Sequence, residues 1–226
     1  MQLLNPLENG SLFLILLKKG VETKSKSSDT HSFEPHHPYE TMDGVISHLQ
    51  DHGATRILLD AETVNMVSKE SHVYDRLIRK HNQNGPFLYK TYQMYKQETT
   101  LKKDLNDLPN LGVKLVRGAY YDLDKTTGKL LNTPEETHTN YDTHLIRLLE
   151  QKVPTLVATH NKQSIELALK YPHAEFAQLY GMSDATTSRI AQSHKAHKYV
   201  PYGTFAEMVP YLIRRLYENY GILRYI

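Results

Sequence analysis

The sequence predicts an α/β protein in which strands and helices alternate along the chain, the pattern of either an open doubly wound sheet or a (β/α)8 barrel. Three observations carry this. From Tyr39 onward, short apolar or β-branched runs bounded by turn signals recur between longer stretches of helical spacing. No second composition block interrupts the alternation. Neither G-x-G-x-x-G nor the G-x-x-x-x-G-K of a P-loop is present, which removes the dinucleotide- and triphosphate-binding versions of the open sheet.

The elements follow in order. Leu12 to Leu17 is a purely apolar run of six residues, where a membrane helix needs about 20, so it reads as a core segment. Glu8 rather than a basic residue precedes it, and no small-residue cleavage site follows, unlike a signal or transit peptide. Residues 18–38 are rich in Ser, Lys and His and nearly free of apolar side chains, a flexible surface loop. Beyond it, strands are predicted over 56–60, 87–93, 113–118, 155–159, 175–179 and 198–201, each rich in Val, Ile, Leu, Tyr or Phe. Helices are predicted over 39–52, 64–82, 101–108, 141–152, 162–170, 184–195 and 210–220. Tyr141, Leu145, Leu148 and Leu149 form one apolar stripe at i, i+4, i+7 and i+8. Asn161 and Ser183 suit N-caps, and Pro210 suits a first helical turn.

Composition narrows the chemistry. Lys plus Arg number 27 against 25 Asp plus Glu in 226 residues, so no single-sign field gathers nucleic acid. With no cysteine, thiol nucleophiles, iron–sulfur clusters and Cys-based zinc sites are excluded. His194 and His197 sit three apart in a polar run without a carboxylate near in sequence, so no metal site is expected.

A barrel builds its site from the C-terminal ends of strands. The polar residues there are Asp60 and Glu62, Gln93, Arg117, His160 and Asn161, Gln178, and Tyr199 with Tyr202. Each has a plainer explanation: Asp60 as a first-turn acid for the next helix, and His160 as one strand-end residue among 13 histidines. Lys114 and Arg117, three apart on one strand, point to opposite faces, so at most one enters the interior. Gly118 permits a close backbone approach. On the last helix, Val209, Leu212, Ile213 and Leu216 make an apolar face, while Arg214, Arg215 and Glu218 cluster opposite it. Such a face is either solvated or a clamp, since paired guanidiniums grip a carboxylate and Glu218 can meet an ammonium.

Taken in this order, Asp60-Ala-Glu62, Lys114-Leu-Val-Arg-Gly-Ala-Tyr120, Ala158-Thr-His-Asn161, Gln178-Leu-Tyr-Gly-Met182, Tyr199-Val-Pro-Tyr-Gly203 and Tyr211-Leu-Ile-Arg-Arg-Leu-Tyr-Glu-Asn219 resemble the proline dehydrogenase (proline oxidase) family. The resemblance implies a distorted (β/α)8 TIM-like barrel holding FAD. In it L-proline is oxidised to 1-pyrroline-5-carboxylate, and electrons pass to a quinone or another membrane acceptor. Carried over by motif, Arg214 and Arg215 would bind the proline carboxylate, with Glu218 near the ring nitrogen. Tyr199 and Tyr120 would line the pocket, Leu179 would pack on the ring, and Asp60 would orient Tyr199. On the flavin side the resemblance assigns Gln93, Lys114 near N5, Gly118, Thr159 and His160. Bacterial members commonly have Arg where Lys114 stands. The resemblance further implies a eukaryotic, fungal-like, mitochondrial member with peripheral membrane association, and no metal or nucleic acid.

Against the family pattern, the first two strands and the substrate-binding lysine on the second of them are expected to be missing. That gives an N-terminal remnant and loop over 1–38 and a partial catalytic barrel over 39–226. Leu12 to Leu17 could fill part of the gap. The alternatives to a working dehydrogenase are a catalytically impaired fragment or paralogue, or a flavin-independent barrel using Lys114 as a Schiff-base amine.

Overall fold

The structure, a computed structural model, describes residues 2–3, 14–17, 38–61 and 64–199, together with residues 209 and 213. Eight strands form one sheet in chain order: β1 (Gln2–Leu3), β2 (Leu14–Leu17), β3 (Arg56–Leu59), β4 (Leu88–Gln93), β5 (Gly112–Val116), β6 (Thr155–Ala158), β7 (Glu175–Leu179) and β8 (Lys195–Tyr199). β1 lies antiparallel to β2, and every later neighbouring pair is parallel. Parallel neighbours need crossovers. These contain α1 (Pro38–Asp51), α2 (Val64–His81), α3 (Leu101–Asp107), α4 (Tyr121–Asp124), α5 (Pro134–Glu150), α6 (Lys162–Ala168) and α7 (Asp184–Ala191).

Period-two alternation splits each strand between two environments. Ile57, Leu59, Leu88, Val113, Leu115, Val157 and Phe176 pack with helix residues such as Ile46, Leu77, Tyr141, Leu145 and Ile165 in the main core. Each such fully buried side chain contributes about 2 kcal/mol. The opposite face carries a smaller cluster of Leu58, Tyr89 and Leu156, with Ala177 and Tyr199 against it. Within the helix-facing layer, Lys90 is buried between Asp75 (2.7 Å) and Asp104 (2.8 Å), and Asp104 also accepts from Tyr92 and Thr100. This ionic node ties α2 and α3 to β4.

The sheet is curled, and one contact demonstrates it. In a flat sheet β3 and β7, four places apart, would lie roughly 19 Å from each other. Yet Arg56 Nη1 reaches Glu175 Oε2 at 2.7 Å. His197 of β8 meets the same oxygen at 3.3 Å, and the Arg56 guanidinium stacks 4.3 Å over the Tyr89 ring. Arg56 and Glu175 open their strands, Tyr89 is second in β4 and His197 is the middle residue of β8, all on the face opposite the helices.

Several boundaries depart from the sequence reading. The sheet has eight strands where six were expected, because Gln2–Leu3 and Leu14–Leu17 supply two more; the apolar 14–17 run pairs along the edge of β3, an edge that would otherwise stay open. The antiparallel β1 is not a βα unit of a regular barrel. β8 begins at Lys195, inside the expected helix over 184–195, because Ala196 packs on the core while His197 turns to Glu175. α5 begins at Pro134, not residue 141, with Thr133 as its cap accepting from Glu136 N. Asn161 caps α6 as expected, but Ser183 sits in the left-handed region and makes no side-chain cap. Residues 18–37 and most of 200–226, including the helix expected over 210–220, lie outside the described residues; Val209 and Ile213 are helical, and Ile213 is exposed rather than buried on an apolar face.

Burial acts to raise the Glu175 pKa, but hydrogen bonds from His197 and Arg56 and the charges of Arg56 and Lys195 outweigh it and hold the carboxyl well below its ordinary value. A depressed folded pKa gives stability that is complete above the unfolded value near 4.5 and is lost as pH falls below it. Glu175→Gln is therefore expected to lower the unfolding free energy by about 2 kcal/mol at pH 7. In urea titrations it should also flatten the acid limb, the loss between pH 5 and pH 3 being smaller than in the parent chain.

Candidate functional site

Parallel register assembles the C-terminal ends of β3 to β8 on the interior face. Thr91 lies beside Lys114, and Gln93 beside Val116. Lys114 Nζ contacts Asp60 Oδ1 at 2.6 Å, with both side chains mostly buried, and Thr91 Oγ1 reaches the same oxygen at 3.3 Å. Tyr74 donates to the Asp60 carbonyl at 3.1 Å. Asp60 and Lys114 are thus brought together from two strands, and Asp60 Oδ1 is engaged by Lys114 and Thr91. An ammonium locked to a carboxylate is the wrong form for a Schiff-base nucleophile, which weakens the amine-catalysis reading.

Two buried atoms in this layer stand without a partner: Gln93 Oε1 and His160 Nδ1, the only such side-chain atoms among the described residues. Gln93, 3% exposed, donates its Nε2 to the Ala61 carbonyl at 3.4 Å, leaving Oε1 as an acceptor with no donor. His160 Nε2 receives the Leu179 backbone N–H at 3.0 Å. Burial first, then the Lys198 charge, lowers the His160 pKa to about 4, so the ring is neutral near pH 7. A neutral ring whose Nε2 accepts must carry its proton on Nδ1. The site therefore presents one donor and one acceptor, both desolvated, and a buried polar group left unmatched costs about 1–3 kcal/mol. A ligand with a complementary polar edge relieves both.

Other expected residues divide by face. Leu179 and Tyr199 pair in register at the ends of β7 and β8, and Tyr199 packs on the Leu58–Tyr89–Leu156 cluster. Tyr120 precedes α4, half-buried. Lys114 faces the interior, and Arg117 the helices, as their spacing requires. Arg117 stacks 4.2 Å over Tyr141 and donates to Thr159 Oγ1 (2.7 Å), Ser164 Oγ (2.8 Å) and His138 Nδ1 (2.9 Å). The Thr159 hydroxyl is thus turned into the helix layer, where it also accepts from Asn161 N at 3.1 Å. Gln178 likewise turns outward, bonding the Thr159 carbonyl and Thr187. Glu62, Tyr202, Arg214, Arg215 and Glu218 lie outside the described residues.

Gly118 has φ +135°, and a Cβ there would fall 1.3 Å from the Tyr95 ring. The close approach expected at this glycine is to Tyr95, whose hydroxyl bonds Asp124 at 2.7 Å. Thr91 and Tyr95 were not anticipated as parts of the site. The alternation Tyr89, Thr91, Gln93 carried the signal for Thr91, while nothing local announces that Tyr95 folds over Gly118.

The chain matches the family described as proline dehydrogenase over residues 15–224. It is 32% identical to "Proline dehydrogenase 1, mitochondrial" of Dictyostelium discoideum, covering 92% of this chain and 41% of that one. It is 33% identical to "Hydroxyproline dehydrogenase" of Bos taurus, covering 75% and 44%. The chain thus spans less than half the length of these curated relatives. Among solved structures, proline utilization A (PutA) from Bdellovibrio bacteriovorus inactivated by N-propargylglycine superposes with a TM-score of 0.71 at 24% identity, covering 80% of this chain and 21% of that one. A bifunctional PutA gives 0.72 at 21% identity over the same shares. These likenesses establish the curled parallel α/β fold.

Gly118→Ala is expected to destabilise the chain by about 3 kcal/mol or more, since both the steric clash and the positive φ oppose it. Calorimetry of the Gly118→Ala, Tyr95→Ala and double variants should show partial recovery in the double, with coupling well above 1 kcal/mol. His160 is held neutral by the fold, so stability is complete above its unfolded pKa near 6.5 and declines as pH falls toward 4. His160→Leu should remove that portion of the pH dependence in urea midpoints measured at pH 7 and pH 5.

Proposed function

This chain belongs to the proline dehydrogenase family, and on that premise we propose that it oxidises L-proline to 1-pyrroline-5-carboxylate with FAD as its cofactor. The observation that carries the reading is the pair of orphaned atoms, Gln93 Oε1 and His160 Nδ1, at the C-terminal ends of β4 and β6. A flavin ring edge offers alternating N–H donors and carbonyl acceptors, so it can satisfy an amide oxygen, and the cofactor's many acceptor oxygens can satisfy the imidazole N–H. The residues present therefore fit the group. Gln93 and His160 would hold it, with Gly118 along the same rim and Thr159 contributing through its backbone, its hydroxyl being held by Arg117 on the helix side. Bound FAD supplies the hydride acceptor.

The protein's own residues have separable tasks. Lys114, held by Asp60, presents a cationic N–H donor in a mostly buried layer, its charge offset by the carboxylate. Arg214 and Arg215 would hold the substrate carboxylate bidentately, and Glu218 would meet the ring nitrogen and keep the substrate oriented. Tyr120, Leu179 and Tyr199 would exclude water around the ring. We further read residues 39–226 as the catalytic unit of a TIM-like barrel, with 1–38 as an N-terminal segment that adds β1 and β2 to the same sheet. Electrons would leave to a quinone or similar membrane acceptor through peripheral membrane association, and the naming of relatives as mitochondrial supports a mitochondrial setting for the reaction.

The test is visible absorbance of the purified chain after FAD is added and free flavin removed, then anaerobic addition of proline or hydroxyproline. Flavin bands that persist and bleach with substrate are expected, and bands that persist without bleaching overturn the activity. Arg214→Ala is expected to raise KM by about 100-fold or more while bound flavin is retained. An unchanged KM removes that residue from the pocket.

A further inference from the structure

Lys198 lies on the helix-facing side of β8, two residues beyond Ala196, and its side chain is 14% exposed. Its ammonium is surrounded by three oxygens of one short segment: the Leu179 carbonyl at 3.3 Å, the Met182 carbonyl at 3.0 Å and the Asp184 carboxylate at 2.6 Å. An ammonium has three protons, so this coordination uses all of them. The segment is the turn from β7 into α7. It needs external support, because Gly181 (φ 75°) and Ser183 (φ 51°) are both left-handed, and at Ser183 that conformation costs about 1–2 kcal/mol. Within the turn, Met182 N bonds the Leu179 carbonyl at 3.3 Å, and Tyr180 N bonds the Tyr199 carbonyl at 2.9 Å.

The turn begins at Leu179, whose N–H fixes His160 through Nε2. Leu179 lies on the interior face beside Tyr199. Movement of the turn therefore shifts an interior side chain and releases the imidazole that presents its Nδ1–H to the site. We propose that Lys198 is a positioning residue: by pinning the Leu179–Asp184 turn at three oxygens it fixes Leu179 against the substrate ring and keeps the His160 ring aimed into the site. This rests on the proline-oxidising reading for the substrate half, and on geometry alone for the pinning half.

The test uses the full chain loaded with FAD and the variants Lys198→Met and Lys198→Arg. Methionine keeps length and apolar bulk but offers no proton to the three oxygens. In Lys198→Met, hydrogen–deuterium exchange over residues 178–184 is expected to quicken about ten-fold or more, with exchange in β4 to β6 unchanged. KM for proline is expected to rise about ten-fold while kcat changes less than about three-fold and the bound-flavin spectrum holds. Lys198→Arg, which keeps charge and donors, should fall between the two. Unchanged exchange overturns the pinning, and faster exchange with unchanged KM overturns the positioning role. If the parent chain retains flavin but oxidises neither proline nor hydroxyproline, the functional reading fails and the substrate half falls with it, while the exchange data still decide the pinning. Should Lys198→Met not fold, Asp184→Asn at an exposed carboxylate gives the same pattern at about three-fold in exchange.

Discussion

The contact between Arg56 and Glu175 marks how far the sheet curls back on itself. Neighbouring strands in this chain are held by backbone ladders that would be satisfied equally well in a flat, twisted sheet. What the ladder leaves undetermined is curvature, and a 2.7 Å bridge between β3 and β7 determines it. Its partners come from the same face: Tyr89 beneath the guanidinium, and His197 and Lys195 around the carboxylate. Above this charged floor lies the apolar layer of Leu58, Tyr89, Leu156, Ala177 and Tyr199, and above that the Asp60–Lys114 pair and the two orphaned polar atoms. The interior therefore runs from a satisfied ionic base through a dry middle to an unsatisfied rim.

That gradient leaves the rim as the part of the interior with polar atoms to offer a ligand. The floor's charges are matched and shielded, so they give structure and little affinity for anything else. Lys90, with Asp75 and Asp104 on the far side of β4, is a second fully matched node, again structural. Among the described residues, only the C-terminal ends of the strands leave a donor and an acceptor buried and unmatched.

Much of this was legible in the sequence, for reasons of periodicity. The opposite orientations of Lys114 and Arg117 follow from a side-chain period of two, and the fully buried stripe of Tyr141, Leu145, Leu148 and Leu149 from one of 3.6. Asn161 was legible as a cap because its chemistry acts three residues away. The failures come from information that is not local. Lys195-Ala-His-Lys-Tyr reads as a solvated run until Glu175 is known to face it, and Leu14–Leu17 reads as an unplaced core segment until β3 offers an edge. The Asp60–Lys114 pair spans 54 residues, and no pattern within either motif announces it. The start of α5 is a different kind of miss: Thr133-Pro134-Glu135-Glu136 is a complete local start signal that the apolar stripe further along obscured.

The strictly sequential strand order has a consequence for how the chain is made. From β2 onward each new strand adds only to the strand before it, across a single crossover, so a chain emerging from N- to C-terminus can extend its sheet one unit at a time without waiting for a distant partner. The Arg56–Glu175 bridge is the exception, since it cannot form until four further strands have been laid down. Growth is thus incremental and closure late. The interior rim therefore stays open to solvent through most of synthesis.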